Sequence, residues 1–304
     1  MEKLLIGTRG SALSIAQTMI AVRKIEQAYP EVKCELVKIK TLNEKIDRSS
    51  EKATDKDIYT KEIDIALAEG TIDLAVHSLK DLKNKLAEGI ILASVPDRAS
   101  PFDCIVKGKN FSAKENPIIG TSSIRRKAQI SNIAKNAVVK SIHGNVDTRL
   151  KALESSEVDA LVLASSGISR LGYDVHAEEL GVDLMVPAIG QGALAITVKR
   201  GNNGILKMMQ GISDRKAEAE VMAERAFGRV FGIGCDVPIG ALASKDSASG
   251  IMTLTGFLSN MEGTKQIKKS LSGNPEDPEG LGNRLGKLVM EEGGDDIIAE
   301  NQSE

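Results

Sequence analysis

Tryptophan is absent from this chain of 304 residues, and the other aromatics number five Phe and three Tyr. The core must therefore be aliphatic, and a platform of stacked aromatics for single-stranded nucleic acid is excluded. Cysteine is nearly as scarce. Cys34, Cys104 and Cys235 are too few and too far apart for a disulfide framework or a thiolate zinc site. His77, His143 and His176 show neither H-x-x-x-H nor H-E-x-x-H spacing, so no metal is expected. No apolar run reaches the ~18 residues that a membrane-spanning helix needs. The apolar start of MEKLLIGTRGS is broken by Arg9 before a secretory core is complete. Neither sign of charge dominates either, because 40 Lys and Arg face 42 Asp and Glu. That balance excludes a polyelectrolyte that coats nucleic acid or a membrane surface, though it allows a local basic cleft. With 41% hydrophobic and 27% charged residues, the expectation is a globular cytoplasmic protein that binds neither nucleic acid nor membrane.

What is present is an alternation of strand-like and helix-like segments. Residues 3–7 are a short apolar run. From Ser11, a candidate N-cap, the positions Ala12, Ile15, Met19, Val22, Ile25 and Tyr29 recur at steps of three and four and predict an amphipathic helix. A strand near 32–40, a helix near 60–69 and a strand at 72–77 follow. The alternation predicts a mainly parallel sheet covered by helices on both faces.

A second unit repeats the first. LLIGTRGSALSIAQ (4–17) is similar to IIGTSSIRRKAQ (118–129), and TIDLAVHSLKD (71–81) to EVDALVLASSG (157–167). Two matches in one order predict two similar α/β lobes. Further on, a helical pattern at 213–231 precedes strand-like runs at 238–244, 250–258 and 265–271. A last helix carries Leu281, Leu285, Leu288 and Val289. Consecutive strands followed by a helix predict a smaller α+β domain with a three-stranded antiparallel sheet. The glycine-rich, acidic tail from Gly293 is expected to fray.

In open α/β sheets, ligands collect beyond the carboxyl ends of the strands. The polar groups expected there are Thr8, Arg9, Ser11, Ser78, Lys80, Asp81, Thr121, Ser122, Ser123, Arg125, Arg126, His143, Asn145, Arg149, Ser165 and Arg170. A single arginine is most often a solvated charge or a helix-capping partner. Six basic groups at strand ends of both lobes point instead to a strongly anionic ligand, held by guanidinium forks and helix-opening hydroxyls in a cleft. Asp81 is a carboxylate among cations. Its commonplace role is helix capping, and its chemical role is general acid/base work or stabilisation of a substrate cation. Cys34 and Cys104 fit the role of small buried hydrophobes. Cys235 lies in the glycine-rich FGIGCDVPIG, where a thiol stays accessible as nucleophile or attachment point.

HSLKD (77–81), GTSSIRR (120–126), HGNVDTRL (143–150), PAIGQGALAI (187–196), AERAF (223–227) and GCDVPIG (234–240) occur in the order found in porphobilinogen deaminases. The chain resembles that family, also called hydroxymethylbilane synthases, from about Leu5 to Gly240 and more weakly beyond. The resemblance implies a transferase of porphyrin (heme and other tetrapyrrole) biosynthesis. It joins four porphobilinogen molecules head to tail into hydroxymethylbilane and releases ammonia. It also implies two doubly wound lobes of periplasmic-binding-protein type: residues 1–97 with 190–211 form domain 1, 98–189 domain 2, and 212–304 the α+β domain 3. A dipyrromethane cofactor bonded to Cys235 through a thioether is implied, with Asp81 as the catalytic residue. Cofactor contacts fall on Ser78, Lys80, Thr121, Ser122, Ser123, Arg125, Arg126, Gly144, Asp147 and Arg149. Substrate contacts fall on Arg9, Ser11, Arg149, Arg170 and Gln191. The partners implied are porphobilinogen and the growing polypyrrole, bound by a monomer. Every pyrrole ring carries an acetate and a propionate, which explains why arginines gather.

Several positions depart from the family pattern. Lys83 replaces a proline after Asp81, so that turn is expected to be less fixed. TDKDIY (54–59) replaces a loop usually like GGKGLF, which leaves the roles of Lys52, Lys56 and Tyr59 open. His143 stands where an arginine is usual, and Thr197 replaces a glutamate. Two rivals remain at this point. One is a non-catalytic two-lobe binding protein for an anionic small molecule, which has no use for Cys235. The other is an enzyme of phosphorylated metabolites, against which the G-x-x-x-x-G-K-[ST] loop is missing.

Overall fold

The structure, a computed structural model, describes residues 3–40, 57–109, 111–232 and 237–303. The side chains of residues 57–59 and 303 lie outside that description. Internal contacts divide the chain into two units, Met1–Ala99 with Ala193–Ala219 and Ser100–Gly192 with Glu220–Glu304.

The first unit is built on β1 (Lys3–Thr8), α1 (Ala12–Ala28), β2 (Lys33–Lys38), α2 (Asp57–Glu69), β3 (Leu74–Ser78) and β4 (Ile90–Ser94). Ser11 caps α1 as expected, its hydroxyl accepting the Ser14 N–H at 3.2 Å. Val22 and Ile25 of α1 pack on Leu4, Ile6, Leu74 and Val76 of the sheet. Central strands buried on both faces read as continuous apolar runs, which is why KLLIG and LAV show no alternation.

The second unit adds β5 (Asp103–Lys107), β6 (Ile118–Gly120), α3 (Ile124–Gln129), β7 (Val138–Lys140), α4 (Val146–Glu154), β8 (Ala160–Ala164), α5 (Ser165–Leu171) and β9 (Ala177–Leu180). The chain then returns to the first sheet through β10 (Leu194–Lys199) and α6 (Asn203–Gly211). The two sheets have strand orders β2-β1-β3-β10-β4 and β7-β6-β8-β5-β9. Position by position these are the same topology. The second strand of each order, β1 or β6, pairs in parallel with both neighbours, and the next two pairings are antiparallel. The segments that look alike in sequence occupy matching places, β1–α1 with β6–α3 and β3 with β8. The expectation of a mainly parallel sheet holds for four of the five strands of each lobe, and one reversed strand, β10 or β5, makes each sheet mixed.

Helix α7 (Arg215–Val230) leads to the antiparallel sheet β11 (Ile239–Lys245), β12 (Met252–Ser259) and β13 (Gln266–Gly273), followed by α8 (Pro278–Val289). Phe227, Phe257, Leu281, Leu285 and Val289 are buried there, each contributing about 1.5–3 kcal/mol through its removal from water. The tail does not fray as expected. It turns at Gly293 (φ 103°) into α9 (Asp295–Ser303), where Ile297 and Ile298 are buried. Asn301 ties it down by donating to the Ser259 carbonyl and accepting the Met261 N–H, both at 3.0 Å. Among the described residues, no helix is long and apolar enough to cross a membrane.

Candidate active site

In the first lobe β1 and β3 are parallel neighbours, so Arg9 and Ser78 fall at the same sheet edge. After Ser78 the chain makes a single 3-10 turn, Leu79–Asp81. The turn is fixed by the Leu79 N–H on the Ala193 carbonyl and the Leu82 N–H on the Leu79 carbonyl, both 3.0 Å. These two backbone hydrogen bonds are in place with Lys83 standing where a proline is usual. Asp81 ends this turn and caps no helix N-terminus. Its Oδ2 lies 3.8 Å from Nη1 of Arg9, and 36% of its side chain is exposed. A pair at that distance is electrostatic rather than hydrogen-bonded and leaves carboxylate lone pairs for a ligand. Ser11, which caps α1, and Lys80, beside Asp81, stand at the same edge. One strand pairing deeper, His77 Nε2 lies 3.0 Å from Thr197 Oγ1 on β10. Burial, then the charge of Arg9, push its imidazole down to about 4, so it is neutral at physiological pH.

In the second lobe the step from β6 to α3 is Thr121-Ser122-Ser123. Thr121 Oγ1 accepts the Ser123 N–H at 3.2 Å, and Ser123 Oγ caps α3 through the Arg126 N–H at 3.4 Å. Arg125 and Arg126 follow in the first turn of α3. They are not solvated charges. Both are buried and converge on Asp103, the first residue of β5, which is wholly buried. Arg125 donates through Nη1 at 2.7 Å and Nη2 at 3.2 Å, and Arg126 through Nε at 2.9 Å. The Val186 and Val162 carbonyls take one further donor from each arginine. Burial alone would push the Asp103 carboxyl up. Arg125 and then Arg126 overrule it and hold the group well below the usual carboxylate range. Two guanidiniums against one carboxylate leave a net positive charge in a buried place.

Arg149, on α4, donates to the Gly144 carbonyl at 2.9 Å and reaches Ser122 Oγ at 3.4 Å. The β6–α3 hydroxyls and the 143–149 segment therefore meet. Asp147 in the same helix is exposed, as is His143, whose Nε2 lies 2.9 Å from Ser141 Oγ. Arg170, in α5, donates to the Gly192 carbonyl at 2.8 Å. Gln191 is wholly buried and donates to the Pro101 carbonyl at 2.8 Å and to Asp103 at 3.1 Å. Cys235 lies outside the described residues, as do Lys52, Lys56 and the side chain of Tyr59. Two residues were not foreseen, Asp103 and Glu224. Asp103 had a signal in the sequence: a lone carboxylate opens the apolar strand DCIVK and needs a buried cation.

Taken separately, each lobe offers cationic strand ends and hydroxyls suited to carboxylates, and the first lobe adds one accessible acid. That defines an α/β protein whose strand ends suit anionic, carboxylate-bearing ligands. Comparison with known proteins narrows the class. Residues 4–207 match the family model "Porphobilinogen deaminase, dipyromethane cofactor binding domain", and residues 218–291 match "Porphobilinogen deaminase, C-terminal domain". The porphobilinogen deaminase of Thermus thermophilus is 39% identical over 304 residues, which cover 99% of both chains. A probable porphobilinogen deaminase of Nitrosopumilus maritimus is 36% identical, covering 97% of this chain and 95% of its own. Among solved structures, the probable extracellular amino-acid-binding protein ytmK of Bacillus subtilis is 9% identical. It covers 75% of this chain and 97% of its own with a TM-score of 0.44. The chain belongs to the porphobilinogen deaminase family, whose members are transferases.

Proposed function

We propose that this chain condenses four porphobilinogen molecules into hydroxymethylbilane, with Asp81 as its catalytic residue and the arginines of both lobes as carboxylate holders. The observation that carries the reaction is the match of the two family models to residues 4–207 and 218–291. Porphobilinogen bears two carboxylates and an aminomethyl group. Arg9 and Ser11 take the carboxylates near Asp81, and Arg149, Arg170 and Gln191 serve the substrate in the second lobe. Asp81 gives a proton to the departing amine, faces the cation left on the pyrrole, and accepts the ring proton lost when the new carbon–carbon bond is complete. Its partial exposure and the 3.8 Å separation from Arg9 support that assignment.

The donor set around Asp103 fits a dipyrromethane, whose carboxylates would offset the uncompensated buried charge. Ser78, Lys80, Thr121, Ser122, Ser123, Arg125, Arg126, Gly144, Asp147 and Arg149 would hold it, with Cys235 as its attachment point. Bound there, the group supplies the pyrrole carbon on which the chain is started.

The division into residues 1–97 with 190–211, 98–189 and 212–304 is part of the same reading. The breaks after Ala99 and Gly192 support the separation of the first domain, while contacts join 100–192 and 220–304 in one unit. A cytoplasmic monomer with no nucleic-acid or membrane partner belongs to the same reading. Intact-mass measurement tests the whole. Purified protein is expected to exceed its 32.4 kDa polypeptide by one dipyrromethane, and Cys235→Ser to lose both adduct and turnover. A wild-type chain of bare polypeptide mass would support the non-catalytic binder instead.

A further inference from the structure

Three site arginines and Gln191 depend on one short loop. Residues 188–192 run through Gly190 (φ 72°) and Gly192 (φ 83°), left-handed conformations that favour glycine, and close with the Gln191 N–H on the Ala188 carbonyl at 2.9 Å. Gly192 offers its carbonyl to Arg170, and Gln191 reaches Asp103, which in turn holds Arg125 and Arg126. The loop is anchored from α7. Glu224 is wholly buried there and accepts the Gly190 N–H at 2.7 Å and the Ala243 N–H of β11 at 2.9 Å. β11 packs closely on the same place. The Ala241 N–H donates to the Pro187 carbonyl at 3.0 Å, and a Cβ on Gly240 would lie 2.7 Å from the Pro187 carbonyl oxygen and 3.2 Å from Cδ of Arg125.

A carboxylate taken out of water is costly unless charge-assisted hydrogen bonds satisfy it, and an apolar side chain would fill that space without the cost. An acid at this position therefore speaks for geometry rather than for stability. We propose that Glu224 is a positioning residue. Through the Gly190 amide it fixes the loop that aims Arg170 and, by way of Gln191 and Asp103, the Arg125–Arg126 pair. The proposal rests on the anion-holding role proposed for these arginines.

Glu224→Gln tests it, because the new amide NH₂ faces an N–H that it cannot accept. The expected result is a KM for porphobilinogen raised about tenfold, the size of one weakened charge-assisted hydrogen bond, with kcat little changed. The Arg126 and Arg170 Nε–H resonances are expected to shift and to exchange faster with solvent. Glu224→Asp keeps the charge on a shorter arm and is expected to restore both readouts in part. It also serves alone if the glutamine variant does not fold. A lowered melting temperature with the arginine resonances and KM in place would overturn the proposal, since packing alone would then explain the residue. If the wild-type chain shows neither adduct nor turnover, the functional reading falls, while the arginine resonances still decide whether Glu224 positions them.

Discussion

The two lobes share one topology, and a single register position separates their chemistry. Ser78 at the end of β3 faces Leu194 at the start of β10, whereas Ala164 at the end of β8 faces Asp103 at the start of β5. The helix above each corner differs to match. After their serine caps, α1 continues Ala12-Leu13-Ser14 and α3 continues Ile124-Arg125-Arg126. The second lobe thus closes this corner with an ion triad, where the first has a buried leucine, Leu194, in the place of Asp103. The acid of the first lobe is instead Asp81, at 36% exposure against 0% for Asp103. Burial decides what each carboxylate can do. Asp103 is spent on holding two guanidiniums, and Asp81 is left open to a ligand.

That contrast breaks most sharply on the two aspartates themselves. Asp103→Ala would leave two buried guanidiniums facing no carboxylate, a loss of about 3–5 kcal/mol in urea unfolding. Asp81→Asn is expected to unfold like the wild type while kcat falls by about 10²–10⁴-fold, the range for a lost proton-transfer group. If Asp81→Asn destabilised the fold and Asp103→Ala only slowed turnover, the division of labour would be inverted.

A smaller effect is expected when the second corner is rewritten in the manner of the first. The triple variant Asp103→Leu, Arg125→Leu, Arg126→Ser removes charge and countercharge together. Replacing a buried ion cluster by apolar side chains is often neutral or stabilising by about 1–4 kcal/mol, so stability should recover relative to Asp103→Ala. Carriage of the dipyrromethane should not recover, which intact mass would show. A triple variant that still bears the adduct would remove Arg125 and Arg126 from the cofactor site.

The sequence pattern made much of this readable and hid the rest for a physical reason. Ser11 and the three-and-four spacing after it marked α1, and the two pairs of similar segments marked the lobes, because both signals are local. Strand direction is not local. An apolar run reads the same whether it is parallel or antiparallel, so the reversal of β5 and β10 left no trace. Asp103 was lost with it. A filter for residues after strand ends passes over the first residue of a strand, yet β5 runs backwards and brings that residue to the same edge as Ala164. The tail misled in another way. Glycines and acids suggested fraying, but Ile297 and Ile298 found a core and Gly293 supplied only the turn.

The gentlest way to sharpen the comparison is acid, because each lobe buries a titratable group of a different kind. In the first lobe, His77 is pushed down to about 4 from an ordinary 6.5, by burial first and Arg9 second. As pH falls below about 6.5 the unfolded chain takes up this proton and the folded one does not. His77 therefore contributes nothing unfavourable above that pH, and stability falls as acid is added, by at most about 1.4 kcal/mol per pH unit, until pH 4. In the second lobe the folded Asp103 lies below its ordinary carboxylate value, so its contribution is present above that value and is lost only in stronger acid. Urea midpoints between pH 7.5 and 4 should thus decline through His77. His77→Gln, which cannot take up the proton and keeps a polar group toward Thr197, should flatten that decline while leaving the steeper loss below pH 4. An unaltered slope in His77→Gln would move the acid sensitivity out of the first lobe.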